Sequence, residues 1–409
     1  MSGGDIRRRV LRPFFASLCG VLIALPVVIV AFDQNRSVTE QEWFDRVSVC
    51  KPQSGDSYAR EQTFNCLEKV VVSAAKDDAL MTVASAITDV ASEDVLFYGF
   101  CHAATHRIGK DLLELYGSAE EALRAASTID CGNGLAHGIL DYWAAESSTE
   151  LSSFPDVVAA CEEAEIVRPG GCAEGVGHAA YQHQEESVEF NSRLDTAFKI
   201  CEQFSIGSQG IHCGYGVLMQ PYLKQNDFTI NEAELIIPKN GELIEICKKL
   251  DHRDDVVDGC FQGAGWLMGV GLMRRSEVGD FGFLSSNDSE QQNEAIFSQV
   301  IEDSGYCASM TPDYTRGALC LTQYFARLPL TWYTNTGLLE KRCARLPKKN
   351  SVDISKFCFA GSYEFTPPKE MLALMRRHPE IVELVRVRWV RERGDELLAE
   401  FKKTTAPKN

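Results

Sequence analysis

Fourteen of the fifteen cysteines fall into neighbouring pairs, and this pairing constrains the fold more than any other feature of the chain. Cys19 is the exception, because it lies inside an apolar N-terminal run. An even number of cysteines at short, regular spacing predicts a disulfide framework in an exported protein. Six of the seven pairs enclose 10 to 15 residues, and the predicted pairs are 50 with 66, 101 with 131, 161 with 172, 201 with 213, 247 with 260, 307 with 320, and 343 with 358.

A repeat runs through these pairs. In five of them the second cysteine begins a Cys-x-x-Gly unit, at Cys131, Cys172, Cys213, Cys260 and Cys358. Successive second cysteines are 65, 41, 41, 47, 60 and 38 residues apart, so the basic period is near 40 with insertions. A period of this length predicts one helical hairpin per repeat, stacked on its neighbours. Glycine within a helix costs about 0.5 to 1 kcal/mol relative to alanine, so its recurrence needs a reason. The close approach of a neighbouring helix would supply one.

The local patterns indicate helices. Segments 111–116, 120–126 and 243–250 are rich in helix formers and place apolar residues three and four apart, whereas strand signals are few. We therefore predict an all-α fold of disulfide-linked helical hairpins, an α-solenoid, following one N-terminal transmembrane helix. The paired cysteines and the period resemble the secreted, cysteine-rich relatives of tetratricopeptide repeats, over residues 50–365. That resemblance implies a superhelical solenoid and no particular chemistry, and the cysteines here are more widely spaced than in those proteins.

An uncharged apolar run of 19 residues, 14–32, follows four arginines at positions 7, 8, 9 and 12. Its length is close to the ~20 residues that a membrane-spanning helix needs. The positive-inside rule then places residues 1–13 in the cytoplasm and the rest of the chain in the periplasm or outside the cell. A cleavable signal peptide with a site near Ala31 is the alternative, although its apolar region is usually shorter.

The remaining boundaries follow from composition. We predict a linker at 33–49 that contains a short helix around Trp43, and a cysteine-rich repeat domain at 50–367. Within that domain, the polar segment 274–300 is expected to form a surface loop. Residues 368–409 form a basic tail, in which 380–403 has the pattern of an amphipathic helix. The tail is expected either to fold back on the repeats or to dock on a partner.

The charge distribution excludes one class of partner. The formal net charge is −17, and residues 33–409 carry 37 basic and 57 acidic side chains, a net charge of −20. Residues 33–367 account for −23 and the tail for +3. A region this acidic repels the phosphate backbone of nucleic acids, so nucleic-acid binding is not expected.

Four of the eight histidines occupy related positions. His102 and His106 are four residues apart, so on a helix they share one face and could bind one ion. His137 and His178 each lie six residues after the cysteine of a Cys-x-x-Gly unit, and so hold the same position in consecutive repeats. Axes of packed helices are about 8 to 10 Å apart, within joint reach of two imidazoles. The sequence therefore predicts a metal site formed by these four histidines.

The identity of the bound group stays open. Three or four imidazoles suit zinc, copper, iron or nickel, and a nearby thioether would favour copper or haem iron. The next repeats have Met219 and Trp266 at the position of the histidines. A catalytic zinc would need a carboxylate such as Glu174 or Asp141 as a base. We assign no catalytic residue.

The chain has few other candidates for metal ligation. Cys101 could be a free thiolate, because its predicted partner is 30 residues away. His212 is a possible additional ligand, whereas His183 and His252 lie outside the repeated position and His378 is expected to be solvated. Without any Cys-x-x-Cys, the chain lacks the spacing of a zinc knuckle and of covalently attached haem.

These observations predict a membrane-anchored, extracytoplasmic helical-repeat protein that binds a transition metal or haem through His102, His106, His137 and His178. The alternative is a non-catalytic scaffold of a membrane complex, in which the histidines are only packed. The expected partners are the membrane, through 14–32, and a protein at the concave face or the C-terminal tail. The sequence leaves open whether the protein is an enzyme.

Overall fold

The structure is a computed structural model. It describes residues 40–54, 57–126, 134–146, 153–165, 170–184, 187–205, 207–222, 225–226, 229–230, 240–275, 290–310, 314–326, 336–349, 352–361 and 368–381. The predicted anchor 14–32 lies outside these residues. Within them, no helix combines the length and the apolar character needed to cross a bilayer.

Helices make up most of the described residues, as the sequence predicts. They are α1 (Glu40–Ser48), α2 (Ser57–Lys76), α3 (Leu80–Glu93), α4 (Val95–Tyr116), α5 (Ala119–Ala126), α6 (Gly134–Glu146), α7 (Phe154–Glu165), α8 (Gly171–Gln182), α9 (Phe190–Cys201), α10 (Gly207–Met219), α11 (Asn240–Lys248), α12 (Asp254–Arg275), α13 (Glu290–Ala308), α14 (Tyr314–Phe325), α15 (Thr336–Cys343), α16 (Ile354–Gly361) and α17 (Pro368–Arg377). Two short antiparallel hairpins accompany them, β1 (Gln225–Asn226) with β2 (Thr229–Ile230) and β3 (Lys348–Lys349) with β4 (Val352–Asp353).

The even-numbered helices α2 to α16 form one continuous row, in which each helix packs on the next. Each odd-numbered helix from α1 to α15 packs on the even-numbered helix that follows it in the chain. The repeating unit is therefore a helical hairpin whose second helix belongs to the row. This arrangement confirms the helical repeats predicted from the 40-residue period.

Disulfides join the two helices of most hairpins. All six predicted pairs that have both cysteines among the described residues are bonded, with Cα–Cα distances of 5.4 to 5.6 Å. In each, the first cysteine lies on or just after an odd-numbered helix and the second lies in the next helix of the row. Cys101 on α4 is also disulfide-bonded, so it is not the free thiolate considered above. Its predicted partner, Cys131, lies outside the described residues.

The repeats begin before Cys50. Helix α1 contains the predicted short helix around Trp43, and it packs on α2 and α3. Trp43 and Val47 are fully buried, and Cys50 is bonded to Cys66 of α2. The first hairpin is therefore α1 with α2, and its core includes residues that the sequence assigns to a linker.

The prediction of a surface loop over 274–300 is wrong for its last part, because α13 begins at Glu290. Phe297 and Val300 lie three residues apart on this helix and are buried in the core. Cys307 then links the helix to α14. The polar composition of the first turns conceals an apolar face that the hairpin needs.

The beginning of the basic tail folds back on the last repeat. In α17 and the 3-10 turn after it, Leu374, Met375 and Ile381 are buried. His378 is not solvated as predicted, because its ring stacks on Phe359 of α16 with centroids 4.2 Å apart. The remainder of the predicted tail helix, 382–403, lies outside the described residues.

Glycines allow the row to pack closely. A Cβ added at Gly216, three residues after Cys213, would collide with the carbonyl of Glu174 on the preceding row helix. One added at Gly259 would collide with the carbonyl of Ile211. Backbone is in direct contact with backbone at both crossings. Gly216 belongs to a Cys-x-x-Gly unit and Gly259 does not, so the contact at Gly216 supplies a reason for the repeated glycine.

We expect Gly259→Ala to lower the free energy of unfolding by about 1 to 3 kcal/mol, because backbone cannot move aside for the methyl group. Gly241→Ala is the matched control. Its Cβ would meet only the ring of Tyr306 at 3.7 Å, an ordinary contact, so we expect stability to be unchanged or slightly higher. Urea unfolding followed by circular dichroism measures both variants. Equal stability of the two would contradict close packing at Gly259.

Candidate metal centre

Three consecutive helices of the row carry the predicted ligands. Helix α4 is capped at its N-terminus by Asp94, whose carboxylate accepts a hydrogen bond from the Phe97 N–H at 2.9 Å, and at its C-terminus by Gly117 in the left-handed conformation. His102 and His106 lie one turn apart on this helix, His137 lies on α6 and His178 on α8. Because α6 packs on both α4 and α8, the histidines of three hairpins meet at one place.

Each of the four imidazoles contacts at least one of the others. Ring centroids are 4.8 Å apart for His102 and His106, 5.6 Å for His102 and His137, and 5.2 Å for His106 and His137. His178 extends this cluster of three rings, because its ring centroid is 5.4 Å from that of His137. The structure therefore brings together all four residues that the sequence predicts.

Glu174 joins the four histidines as a fifth ligand candidate. It precedes His178 by one helical turn, and its two carboxylate oxygens lie 3.6 Å from Nε2 of His137 and 3.9 Å from Nε2 of His178. The sequence suggested Glu174 as a catalytic base. Its position between two imidazoles instead makes it a direct ligand candidate.

Nδ1 of three imidazoles faces an acceptor on its outer side. His106 Nδ1 lies 3.3 Å from a carboxylate oxygen of Asp141, and His178 Nδ1 donates to Gln220 Oε1 at 2.6 Å. His137 hydrogen-bonds to the backbone of Gly171, and because its Nε2 has no hydrogen-bond partner, this bond is made by Nδ1. Metal-binding histidines are commonly oriented in this way, with the second nitrogen left to bind the ion.

The Nε2 atoms of His102 and His106 face each other, and those of His137 and His178 face Glu174. Those of His102 and His106 are 3.2 Å apart, and that of His137 is buried without a hydrogen-bond partner. A buried polar atom without a partner is costly, and a bound cation would satisfy it. In His106, His137 and His178 an acceptor faces Nδ1, which leaves Nε2 as the nitrogen through which each ring would bind a metal ion.

Burial and charge keep the central imidazole neutral. The pKa of His137 is well below 6.5 because the ring is buried, and its three neighbouring histidines lower it further. Burial also lowers the pKa of His178, but Glu174, Asp141 and Gln220 outweigh this effect and raise it above 6.5. Since only neutral imidazole binds metal, His137 is ready to act as a ligand at neutral pH.

The spacing of the imidazoles leaves room for an ion between them but not for a porphyrin. Imidazole rings at centroid distances of 4.8 to 5.6 Å occupy the space that a porphyrin would need. His106, His137 and His178 are only 8%, 2% and 3% exposed, so the helices enclose the cluster. Among the described residues two groups could hold a metal ion, His102 with His106 and His137, and His137 with Glu174 and His178.

The other histidines lie outside both groups. His212 is buried against Gly170, and His183 packs beside Phe154. His252 lies between the carboxylates of Asp195 and Glu202, 3.1 and 3.2 Å away. None of these three side chains, His212 included, belongs to either group of possible metal ligands.

Gln220 is the residue that the sequence analysis missed. It follows Met219, which together with Trp266 of α12 continues the row of equivalent positions, and both of these side chains are buried. Gln220 also donates to Gln182 Oε1 at 3.2 Å, which fixes the orientation of its amide. The residue that hydrogen-bonds to His178 therefore lies directly after α10, one residue beyond the repeated position.

The fold and the site together define a disulfide-linked helical-repeat protein with a buried cluster of histidines and carboxylates. Comparisons with protein-family models, with curated proteins and with solved structures find no match to this chain.

Proposed function

We propose that this protein binds one transition metal ion outside the cytoplasm, through His102, His106, His137, His178 and Glu174. The observation that carries this proposal is the orientation of the imidazoles. Three of them have Nδ1 held by an acceptor and Nε2 directed into the cluster. Packing alone does not require three histidines on three helices to share this orientation, whereas metal ligation does.

The ligand set narrows the class of metal. Imidazole nitrogens with one carboxylate suit zinc, copper or iron, and also nickel. A thiolate site is not available among the described residues, because all thirteen cysteines there are disulfide-bonded. The bound ion is thus a borderline divalent cation held by nitrogen and oxygen.

The location rests on the disulfides and the N-terminus. Six disulfides, with Cys101 in a further one, are typical of proteins that fold in an oxidising compartment. We propose that residues 14–32 anchor the chain in the membrane and that the repeats form an α-solenoid on its outer side. The packing of each row helix on the next supports the solenoid. We further propose that the tail after Ile381 or the concave face binds a protein partner.

Metal analysis of the full-length protein tests the proposal. Protein purified from its own extracytoplasmic compartment without chelator is expected to contain about one equivalent of a transition metal, measured by plasma mass spectrometry. After removal of the metal, addition of the same ion is expected to raise the Tm.

His183→Ala provides the control, because His183 lies at the end of α8 and outside both groups of ligands. This variant should bind as much metal as the wild type. Less than about a tenth of an equivalent in the wild type, with no gain in Tm on adding zinc, copper, iron or nickel, would contradict metal binding and favour the scaffold function.

A further inference from the structure

We infer that the cluster offers one ion two mutually exclusive positions that share His137. The first position is formed by His102, His106 and His137, and the second by His137, Glu174 and His178. This inference rests on the proposed function, and it adds that the ion transfers between the two positions by exchanging ligands around His137.

The distances between ligand atoms separate the two positions. An ion about 2.0 to 2.2 Å from each ligand allows two ligand atoms to be at most about 4.2 Å apart. The separation of 3.2 Å between His102 and His106 meets this limit, as do those of 3.6 and 3.9 Å from Glu174 to its two histidines. The five ligand atoms nevertheless form two groups of three within 4.8 Å, and not one group of five.

His137 can complete only one position at a time. Its Nδ1 is engaged with the backbone of Gly171, so Nε2 is its one ligand atom. A single nitrogen lone pair binds one ion. Two ions could therefore not both have three protein ligands, and the cluster is expected to hold one ion in exchange between two positions.

The two positions differ in charge. The first offers three imidazoles, of which His102 is the most exposed. The second includes the Glu174 carboxylate, whose side chain is 15% exposed, and a cation is attracted more strongly to this anion than to neutral imidazole. We therefore place the resting ion at the second position. The ion occupies the first position only while it enters or leaves the second.

Co²⁺ is the probe, because its visible absorption reports the number and type of ligands. In competition with a chelator, Glu174→Gln and His178→Gln are expected to weaken binding by about 10-fold to 100-fold and to shift the spectrum towards an all-nitrogen set. His102→Ala is expected to weaken binding less than either of these variants, while release of Co²⁺ to the chelator slows by about 10-fold or more.

Three results would overturn parts of this account in distinguishable ways. Equal losses of affinity in His102→Ala and His178→Gln would show one shared centre and refute the two positions alone. Two tightly bound equivalents in the wild type would show a two-metal centre, with the same consequence. No binding of Co²⁺, Zn²⁺ or Cu²⁺ by the wild type would refute metal binding itself. Tm values of the metal-free variants identify any that fail to fold.

Discussion

His137→Ala is expected to lower the affinity for the metal by roughly 100-fold or more, a larger effect than the substitution of any other proposed ligand. His137 is the only residue that belongs to both groups of ligands. Its loss leaves two ligands at either position, so an ion cannot compensate by moving. The free energy of a structural zinc site, about 10 to 16 kcal/mol over four ligands, corresponds to about 3 kcal/mol for each ligand.

His212→Ala is a control of matched burial. His137 and His212 are both 2% exposed, but His212 belongs to neither group of ligands. Isothermal titration with Zn²⁺ is expected to show wild-type affinity for His212→Ala and a severe loss for His137→Ala. Similar losses in the two variants would mean that burial of histidine, and not ligation, determines binding.

The same substitution separates ligation from packing in a second way. In the metal-free protein Nε2 of His137 is buried without a hydrogen-bond partner, so the imidazole stabilises that state less than its burial suggests. The gain in Tm on adding metal should therefore disappear in His137→Ala, whereas the Tm of the metal-free protein changes less.

Much of the fold could be predicted because the spacing of cysteines and glycines repeats along the sequence. Pairs such as Cys201 with Cys213 recur at similar spacing, and the glycine three residues after the second cysteine recurs with them. Repeated spacing predicts repeated hairpins, since each unit buries its apolar face on the next. The start at α1 was harder to predict, because Trp43 lies before the first cysteine and outside the regular period.

The site was predictable to the extent that it follows the repeat. His137 and His178 meet because they hold equivalent positions on adjacent helices of the row. Glu174 and Asp141 could have been placed better from spacing, since each is four residues from one of these histidines and so shares its helix face. Gln220 could not be placed from spacing, because it lies one residue past the repeated position, directly after α10.

The direct effect of the disulfides is on stability. Replacing both Cys201 and Cys213 with alanine is expected to lower the free energy of unfolding by about 3 kcal/mol, because the released loop gains conformational freedom in the unfolded chain. Replacing Cys307 and Cys320 releases a loop of nearly the same length, with sequence separations of 13 and 12 residues, and should cost as much. Urea unfolding of the metal-free variants measures both.

The two double variants should differ in metal binding. Cys213 lies on α10, and Gln220 directly after that helix holds His178 in place, whereas Cys320 lies on α14, two row helices further on. Loss of the Cys201–Cys213 bond frees α10 from α9, so affinity is expected to fall by about 10-fold, as when a hydrogen bond that orients a ligand is removed. Chelator competition at a temperature where both variants are folded tests this. Equal affinities would show that the packing of α10 on α8 positions Gln220 without the disulfide.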